Sequence, residues 1–184
     1  CVCTSVNDQV CHGIPSPKVV LKEGDIVNVD CTTIVDGYFA DASRMFMIGE
    51  VSERAKKLVS VTESAVRAAV AGLYPYCHLG DIGATISGIA RKNGYTVVRD
   101  IGGHGVGLKM HEDPYVCHIG QRGKGLILAP GMIFTIEPMI NEGRGDFRVD
   151  KHDGWQVYTT DGKLSAQVEY EILITETGCE ILSK

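Results

Sequence analysis

The chain has 184 residues and a formal net charge of −5 at pH 7, from 18 Lys and Arg against 23 Asp and Glu. This length suits one domain or a tight pair with a sizeable core, so neither a disulfide scaffold nor a fibrous fold is needed. The acidic balance gives no compositional support for an electrostatic grip on nucleic acid or on an anionic membrane. No apolar run approaches the roughly 18 residues of a membrane span, so we expect a soluble protein.

The seven cysteines are odd in number and irregularly spaced, which favours reduced thiols in the cytoplasm over a disulfide framework. Cys1 and Cys3 with Cys11 and His12 could form a zinc cluster, but no second Cys-x-x-Cys or His pair completes four ligands. The chain begins with Cys rather than Met. We therefore expect that an N-terminal extension is missing, and we predict a single domain over residues 1–184.

The first predicted elements are two strands joined by a tight turn. Polar and apolar side chains alternate over residues 22–34, as in a half-buried strand. The Asp-Gly dipeptide at 36–37 is typical of a two-residue hairpin turn, and residues 38–48 return as the partner strand. This turn fixes the pairing, so Asp30 and Asp41 become diagonal neighbours on one face, about 7–8 Å apart.

Two amphipathic helices follow the hairpin. Ser52 is a typical N-cap of the first helix, which Gly72 and Pro75 end. The second helix is predicted to begin near Asp81 and to end at Gly94. Further strands are predicted at residues 95–98, 131–137, 155–160 and 163–175. Strands and helices are mixed without a low-complexity linker, so the sequence predicts the α+β class.

A short motif occurs twice in the chain. Residues 24–30 and 131–137 share the pattern Gly-x-Ile-apolar-polar-apolar-acid. The acid, Asp30 or Glu137, stands at the end of each predicted strand. Two related halves that face each other would each contribute one carboxylate to a site between them.

Four acids at strand positions, with one histidine, indicate a metal site. A close pair such as Asp30 and Asp41 is usually solvated, and otherwise needs a cation or a shared proton to relieve its repulsion. Glu137 and Glu169 add two more carboxylates, and His104 lies among glycines that let the backbone approach a ligand. Four carboxylates and one imidazole suit two divalent cations, whose charge balances the carboxylates. Co, Mn, Fe and Zn all accept such ligands.

Two other motifs are disfavoured. Residues 111–114 resemble half of the His-Glu-x-x-His motif of zinc proteases, but Pro114 blocks the helix and Tyr115 replaces the second His. No Gly-x-x-x-x-Gly-Lys-[Ser/Thr] motif occurs, so the glycine-rich segment 120–125 is interpreted as a solvated turn.

Taken together, the motifs resemble those of type I methionine aminopeptidases, which have the pita-bread fold and belong to the M24 metallopeptidases. The likeness covers nearly the whole chain, in segments at 11–15, 103–107, 111–114, 130–132 and 135–139, with Asp30, Asp41 and the strand of Glu169. It implies two pseudo-symmetric halves with an antiparallel sheet covered by helices. The interval between Glu137 and Glu169 is too short for the helical insertion of type II enzymes.

The resemblance also implies roles for individual residues. Two divalent metal ions would be held by Asp30, Asp41, His104, Glu137 and Glu169. Among the catalytic residues, Glu137 would act as general base and acid, His111 would stabilise the oxyanion, and His12 would contact the scissile amide. The implied substrate-binding residues are His12, His111, Cys3, Met110 and Trp155, of which the last three could equally be packing residues.

The implied function is removal of the N-terminal initiator methionine from nascent proteins and peptides, with small second residues favoured, by hydroxide that the two metal ions activate. The implied partners are Met peptides and nascent chains, and ribosome association is expected of the family. We expect a cytoplasmic monomer that binds neither a membrane nor, directly, nucleic acid. Two alternatives stay open: an Xaa-Pro aminopeptidase or prolidase of the same fold, and a catalytically silent binding module.

Two residues depart from the family pattern. Met110 stands where an aromatic residue usually precedes the second loop histidine, and Tyr170 stands where a His often follows the last glutamate. Neither change removes a ligand, but Met110 would reshape the pocket for the methionine side chain. In the family an N-terminal segment helps wall this pocket, and we expect that this segment is missing here.

Overall fold

The computed structural model describes residues 1–183 and is mixed in structure, with two helices and fourteen strands among these residues. The helices are α1 (Glu53–Ala71) and α2 (Leu79–Lys92). The strands before them are β1 (Val2–Val6), β2 (Gln9–Cys11), β3 (Ile26–Val35) and β4 (Tyr38–Met47). The strands after them are β5 (Thr96–Val97), β6 (Gly103–Gly105), β7 (Glu112–Val116), β8 (Ile133–Ile136), β9 (Met139–Asn141), β10 (Phe147–Val149), β11 (Val157–Thr159), β12 (Ser165–Gln167), β13 (Tyr170–Ile174) and β14 (Cys179–Ile181).

The strands pair antiparallel throughout the described residues, in one sheet of five strands and three sheets of three. The five-stranded sheet has the order β14-β13-β8-β6-β7, and the first hairpin forms the sheet β1-β3-β4. The remaining sheets have the orders β10-β11-β2 and β12-β9-β5. Sequentially distant segments therefore meet in each of these sheets, and the predicted α+β class with antiparallel sheets is confirmed.

The first hairpin has the predicted register. Asp30 pairs with Ser43 and Thr32 pairs with Asp41, because the two-residue turn at 36–37 leaves no freedom in the pairing. The polar face of this hairpin is the buried one, since Thr32, Asp41 and Ser43 are all buried. The hairpin therefore directs polar side chains into the molecule, in addition to the buried Ile26 and Val27 at the start of β3.

The helices pack on each other and cover the sheets. Ser52 is the N-cap of α1 and accepts a hydrogen bond from the Ala55 amide at 3.2 Å. The second helix begins two residues earlier than predicted, because the Asp81 carboxylate accepts the His78 amide at 3.0 Å and closes the first turn. Neither helix in residues 1–183 combines the length and apolar character needed to cross a membrane. The core between helices and sheets contains Leu58, Ile82, Ile86, Phe134, Ile136 and Ile172.

Two strand predictions differ from the structure at the acids. The stretch predicted as one strand over 163–175 is two strands, and Glu169 lies in the break between them. The break forms because the Glu169 amide donates to the Ser43 carbonyl on β4, at 3.1 Å, instead of continuing the ladder with β8. The other difference concerns the repeated motif. Glu137 directly follows β8 as predicted, but Asp30 lies in the middle of β3, since that strand continues to the hairpin turn.

Candidate active site

A cavity of about 460 Å³ is lined by residues from both ends of the chain. It brings together all ten site residues predicted from the sequence: Cys3, His12, Asp30, Asp41, His104, Met110, His111, Glu137, Trp155 and Glu169. Its lining also includes residues that were not predicted as site residues: Cys1, Thr32, Ile101, Gly102, Gly103, Glu112, Asp113 and Tyr115. Cys1, Gly102, Gly103, Glu112, Asp113 and Tyr115 lie in or beside motifs of the sequence, whereas Thr32 and Ile101 carry no such signal.

The acids and the imidazole form a compact group inside this cavity. One ligand atom each of Asp41, His104 and Glu169 lie within 4.8 Å of one another, a spacing at which they could hold a metal ion. The His104 Nε2 atom is 3.4 Å from Glu137 Oε1 and 4.0 Å from Asp41 Oδ2. Asp41, Glu137 and Glu169 are buried. The assignment of individual ligands stays a prediction.

The electrostatics of the group favour cation binding. Burial, followed by repulsion from Asp41, raises the pKa of Asp30 to about 7. Burial also raises the pKa values of Glu137 and Glu169 well above the ordinary range, and the charges of the neighbouring acids act in the same direction. Four carboxylates this close cannot all ionise without positive charge between them. The donor set, mostly oxygen with one imidazole, therefore fits divalent cations.

Three residues hold Glu137, two at its carboxylate and one at its backbone amide. Its Oε1 atom accepts from the Thr135 hydroxyl at 2.9 Å, and its Oε2 atom accepts from the Gln167 amide at 3.0 Å. The Glu137 amide donates to His118 Nε2 at 3.1 Å, and burial lowers the pKa of His118 to about 3. Because that imidazole is neutral, its ring nitrogen can accept the bond. Sequence patterns did not indicate these three residues. Thr135 and Gln167 stand at strand positions, where polar side chains are usually solvated, and His118 lies in the loop after β7.

The two histidines predicted to contact substrate, His12 and His111, are far apart in sequence but line the same cavity. His111 is exposed and meets the His104 ring edge-on, with centroids 4.4 Å apart. His12 stacks on Trp155 with centroids 4.3 Å apart and an interplanar angle of 12°. Burial lowers the pKa values of both His12 and His104. Both imidazoles are therefore neutral near pH 7, which is the form that ligates metals or accepts a hydrogen bond.

The glycines around His104 let the strands of the sheet approach closely. A Cβ atom on Gly103 would overlap the Thr135 carbonyl, and one on Gly105 would overlap the Asp113 carbonyl. These carbonyls belong to β8 and β7, the neighbours of β6. The glycines thus have a packing role, because they let three strands approach closely enough to fix His104 beside Glu137. That they also let the backbone approach a ligand stays a prediction.

Buried carboxylates with one imidazole in an open cavity are typical of a metal-dependent hydrolase. Residues 1–176 match metallopeptidase family M24, and the chain belongs to that family. It is 50% identical to methionine aminopeptidase B of Synechocystis over 182 residues, which are 99% of this chain and 66% of that protein. It is 52% identical to methionine aminopeptidase A of the same organism, over 99% of this chain and 72% of that protein.

Solved structures agree with these relatives. Methionine aminopeptidase from Rickettsia prowazekii matches with a TM-score of 0.97 at 47% identity, over 100% of this chain and 73% of that chain. The prolidase from Pyrococcus horikoshii matches with a TM-score of 0.79 at 24% identity, over 47% of its length, which shows the shared fold alone. The resemblance to methionine aminopeptidases and their fold is therefore confirmed. The chain spans between 66% and 73% of the length of these methionine aminopeptidases.

Proposed function

We propose that this chain removes the N-terminal methionine from peptides and proteins by metal-dependent hydrolysis, with small second residues favoured. The observation that carries the proposal is the single cavity that collects the buried acids, His104 and both further histidines. Its support outside the site is an identity of 50% to a methionine aminopeptidase across nearly the whole chain.

We assign five ligands to two divalent cations: Asp30, Asp41, His104, Glu137 and Glu169. The mutual repulsion of the carboxylates and the 4.8 Å grouping of Asp41, His104 and Glu169 support this assignment. When bound, such cations lower the pKa of water and polarise the carbonyl of the substrate. Co, Mn, Fe and Zn are all compatible with the ligands, so the metal is to be identified by analysis of the purified protein.

The remaining steps use side chains of the chain itself. Glu137 takes a proton from the attacking water and returns it to the leaving amine, and Thr135 and Gln167 keep its carboxylate in one orientation. His111 stabilises the negative charge that develops on the carbonyl oxygen. His12 contacts the scissile amide, in an orientation that its stacking on Trp155 maintains.

The methionine side chain would occupy the less polar part of the cavity. Cys3, Met110 and Trp155 line it, and sulfur and indole groups adapt well to a thioether. Tyr115, also in the lining, extends this surface near the five-stranded sheet. Met110, unlike an aromatic residue, is flexible, and we propose that it makes the methionine pocket deformable.

The test compares peptides on the metal-loaded chain. We expect release of Met from Met-Ala-Ser, no cleavage of Ala-Pro, and Met-Leu-Ser cleaved at least about tenfold more slowly than Met-Ala-Ser, because a larger second side chain fits poorly. Asp41→Asn should reduce both the bound metal and the turnover. Preference for Ala-Pro would favour the prolidase alternative. Full turnover and full metal content in Asp41→Asn would contradict the ligand assignment.

Nascent chains are the natural substrates of such an activity, because the initiator methionine is exposed while the chain is made. We propose that the protein acts on them in the cytoplasm as a monomer, with ribosome association as a family expectation. Seven free cysteines support a reducing compartment. Co-sedimentation with translating ribosomes and the sedimentation coefficient of the purified chain test the two remaining points.

A further inference from the structure

Asp41 and Glu169 come from different elements but carry ligand atoms of one compact group. Asp41 lies on β4, and Glu169 lies in the break between β12 and β13. Their carboxylates repel each other when no cation is present. Holding two such side chains together requires restraints on the backbone of each residue, and these restraints should lie behind the cavity.

The backbone of Glu169 is held by β4. Its amide donates to the Ser43 carbonyl at 3.1 Å. Its carbonyl accepts from the Arg44 guanidinium at 2.5 Å, and the same nitrogen of Arg44 also donates to the Ser43 carbonyl at 2.8 Å. The other terminal nitrogen of Arg44 donates to the Ser183 carbonyl at 3.0 Å. Arg44 therefore connects the break with β4 and with the end of the chain.

The backbone of Asp41 is held by β13. The Asp41 amide donates to Glu171 Oε2 at 3.0 Å, and Glu171 is only 5% exposed. The Glu171 amide donates in turn to the Ser183 hydroxyl at 2.8 Å. The restraints are thus reciprocal. Arg44 of β4 binds the backbone of Glu169, and Glu171 of β13 binds the backbone of Asp41. Both Arg44 and Glu171 are also hydrogen-bonded to Ser183.

Tyr170 completes this arrangement. The Arg44 guanidinium carbon lies 4.2 Å from the centre of the Tyr170 ring, a distance at which a cation and an aromatic face attract each other. The Tyr170 ring therefore helps to orient the arginine that binds the carbonyl of the preceding residue, Glu169.

We propose that Arg44 and Glu171 are positioning residues that preorganise Asp41 and Glu169 for a divalent cation. The proposal rests on the ligands assigned in the proposed function. Residues behind metal ligands commonly change metal affinity by 10–100-fold when they are replaced. We expect Arg44→Met and Glu171→Leu to weaken cation binding by about tenfold, and to lower kcat at saturating metal by less than about threefold, because neither residue reaches the substrate.

The experiment is calorimetric titration of the metal-free chain with Mn²⁺, together with thermal unfolding of the metal-free proteins. Glu171→Gln keeps an acceptor for the Asp41 amide, so it should bind Mn²⁺ within about twofold of the parent and rescue the defect of Glu171→Leu. Arg44→Lys keeps the charge but has one nitrogen in place of the two that bind Glu169 and Ser183, so its Mn²⁺ affinity should stay weakened. Arg67→Met, on the exposed side of α1, is the matched control.

A structural role alone would lower the unfolding temperature without changing Mn²⁺ affinity at a temperature where every variant is folded. Parental Mn²⁺ affinity in both Arg44→Met and Glu171→Leu overturns the proposal. If either of these variants fails to fold, the Mn²⁺ affinities of Arg44→Lys and Glu171→Gln are compared instead. Equal Mn²⁺ affinities of these two variants would also overturn the proposal. The titration contains no peptide, so its result is separate from the cleavage test of the proposed function.

Discussion

Asp30 combines a functional position with a cost in stability. Burial and the neighbouring Asp41 raise its pKa to about 7, against an ordinary value of 3.8. A carboxyl group whose pKa is raised by folding binds its proton more tightly in the folded state. The folded, metal-free chain is therefore favoured at low pH, and this contribution is lost as the pH rises from about 4 to about 7.

We predict that Asp30→Asn stabilises the metal-free chain at pH 8 by about 2 kcal/mol or more, because one pKa unit corresponds to about 1.4 kcal/mol. At pH 4 the gain should fall to about 0.5 kcal/mol, since the parent carboxyl is then protonated in the folded state and only about half ionised in the unfolded state. Urea unfolding at the two pH values, with chelator present, measures the difference. Asp36→Asn, at the exposed hairpin turn, is the control. An equal gain at both pH values would contradict the prediction.

At the scale of elements, the short strand β6 depends on its glycines. A Cβ atom on Gly103 would overlap the backbone carbonyl of Thr135, whereas one on Gly88 of α2 would meet nothing within 4 Å. The strand must separate from β8 to admit the methyl group of Gly103→Ala. That separation would also shift His104, which follows Gly103 and donates its amide to the Thr135 hydroxyl at 3.0 Å.

We expect Gly103→Ala to destabilise the chain by about 1–3 kcal/mol, as overpacking usually does. Gly88→Ala should instead stabilise it by about 0.5–1 kcal/mol, because alanine restricts the unfolded chain and favours the helix. Denaturant unfolding of both variants at one pH gives the two values. Equal stability of Gly103→Ala and the parent would show that β6 adjusts freely.

The elements also show what the sequence can predict. The register of β3 with β4 follows from the turn at 36–37, because a two-residue hairpin loop allows only one pairing of the strands that flank it. The break at Glu169 does not follow, since it arises from a hydrogen bond to Ser43, a residue remote in sequence. For the same reason Arg44, Glu171 and His118 escaped sequence analysis: their partners are set by tertiary contacts.

At the scale of the whole molecule, most of the acidic excess behind the net charge of −5 lies in one cavity. Six acids line that cavity, and four of them are the carboxylates assigned as ligands, of which Asp41, Glu137 and Glu169 are buried. Two divalent cations would neutralise those four carboxylates. Folding and cation binding should therefore be strongly linked, because the unfolded chain lacks a preformed site.

We predict that Mn²⁺ at about 100 times its Kd stabilises the chain by about 2.7 kcal/mol, which corresponds to a rise in unfolding temperature of about 5–10 °C for a chain of this size. Differential scanning calorimetry with Mn²⁺ and with chelator gives the shift. Asp41→Asn should lose most of it, because one ligand of the compact group becomes neutral. Glu53→Gln, on the exposed first turn of α1, should retain all of it. A full shift in Asp41→Asn would place the stabilising cation elsewhere on the molecule.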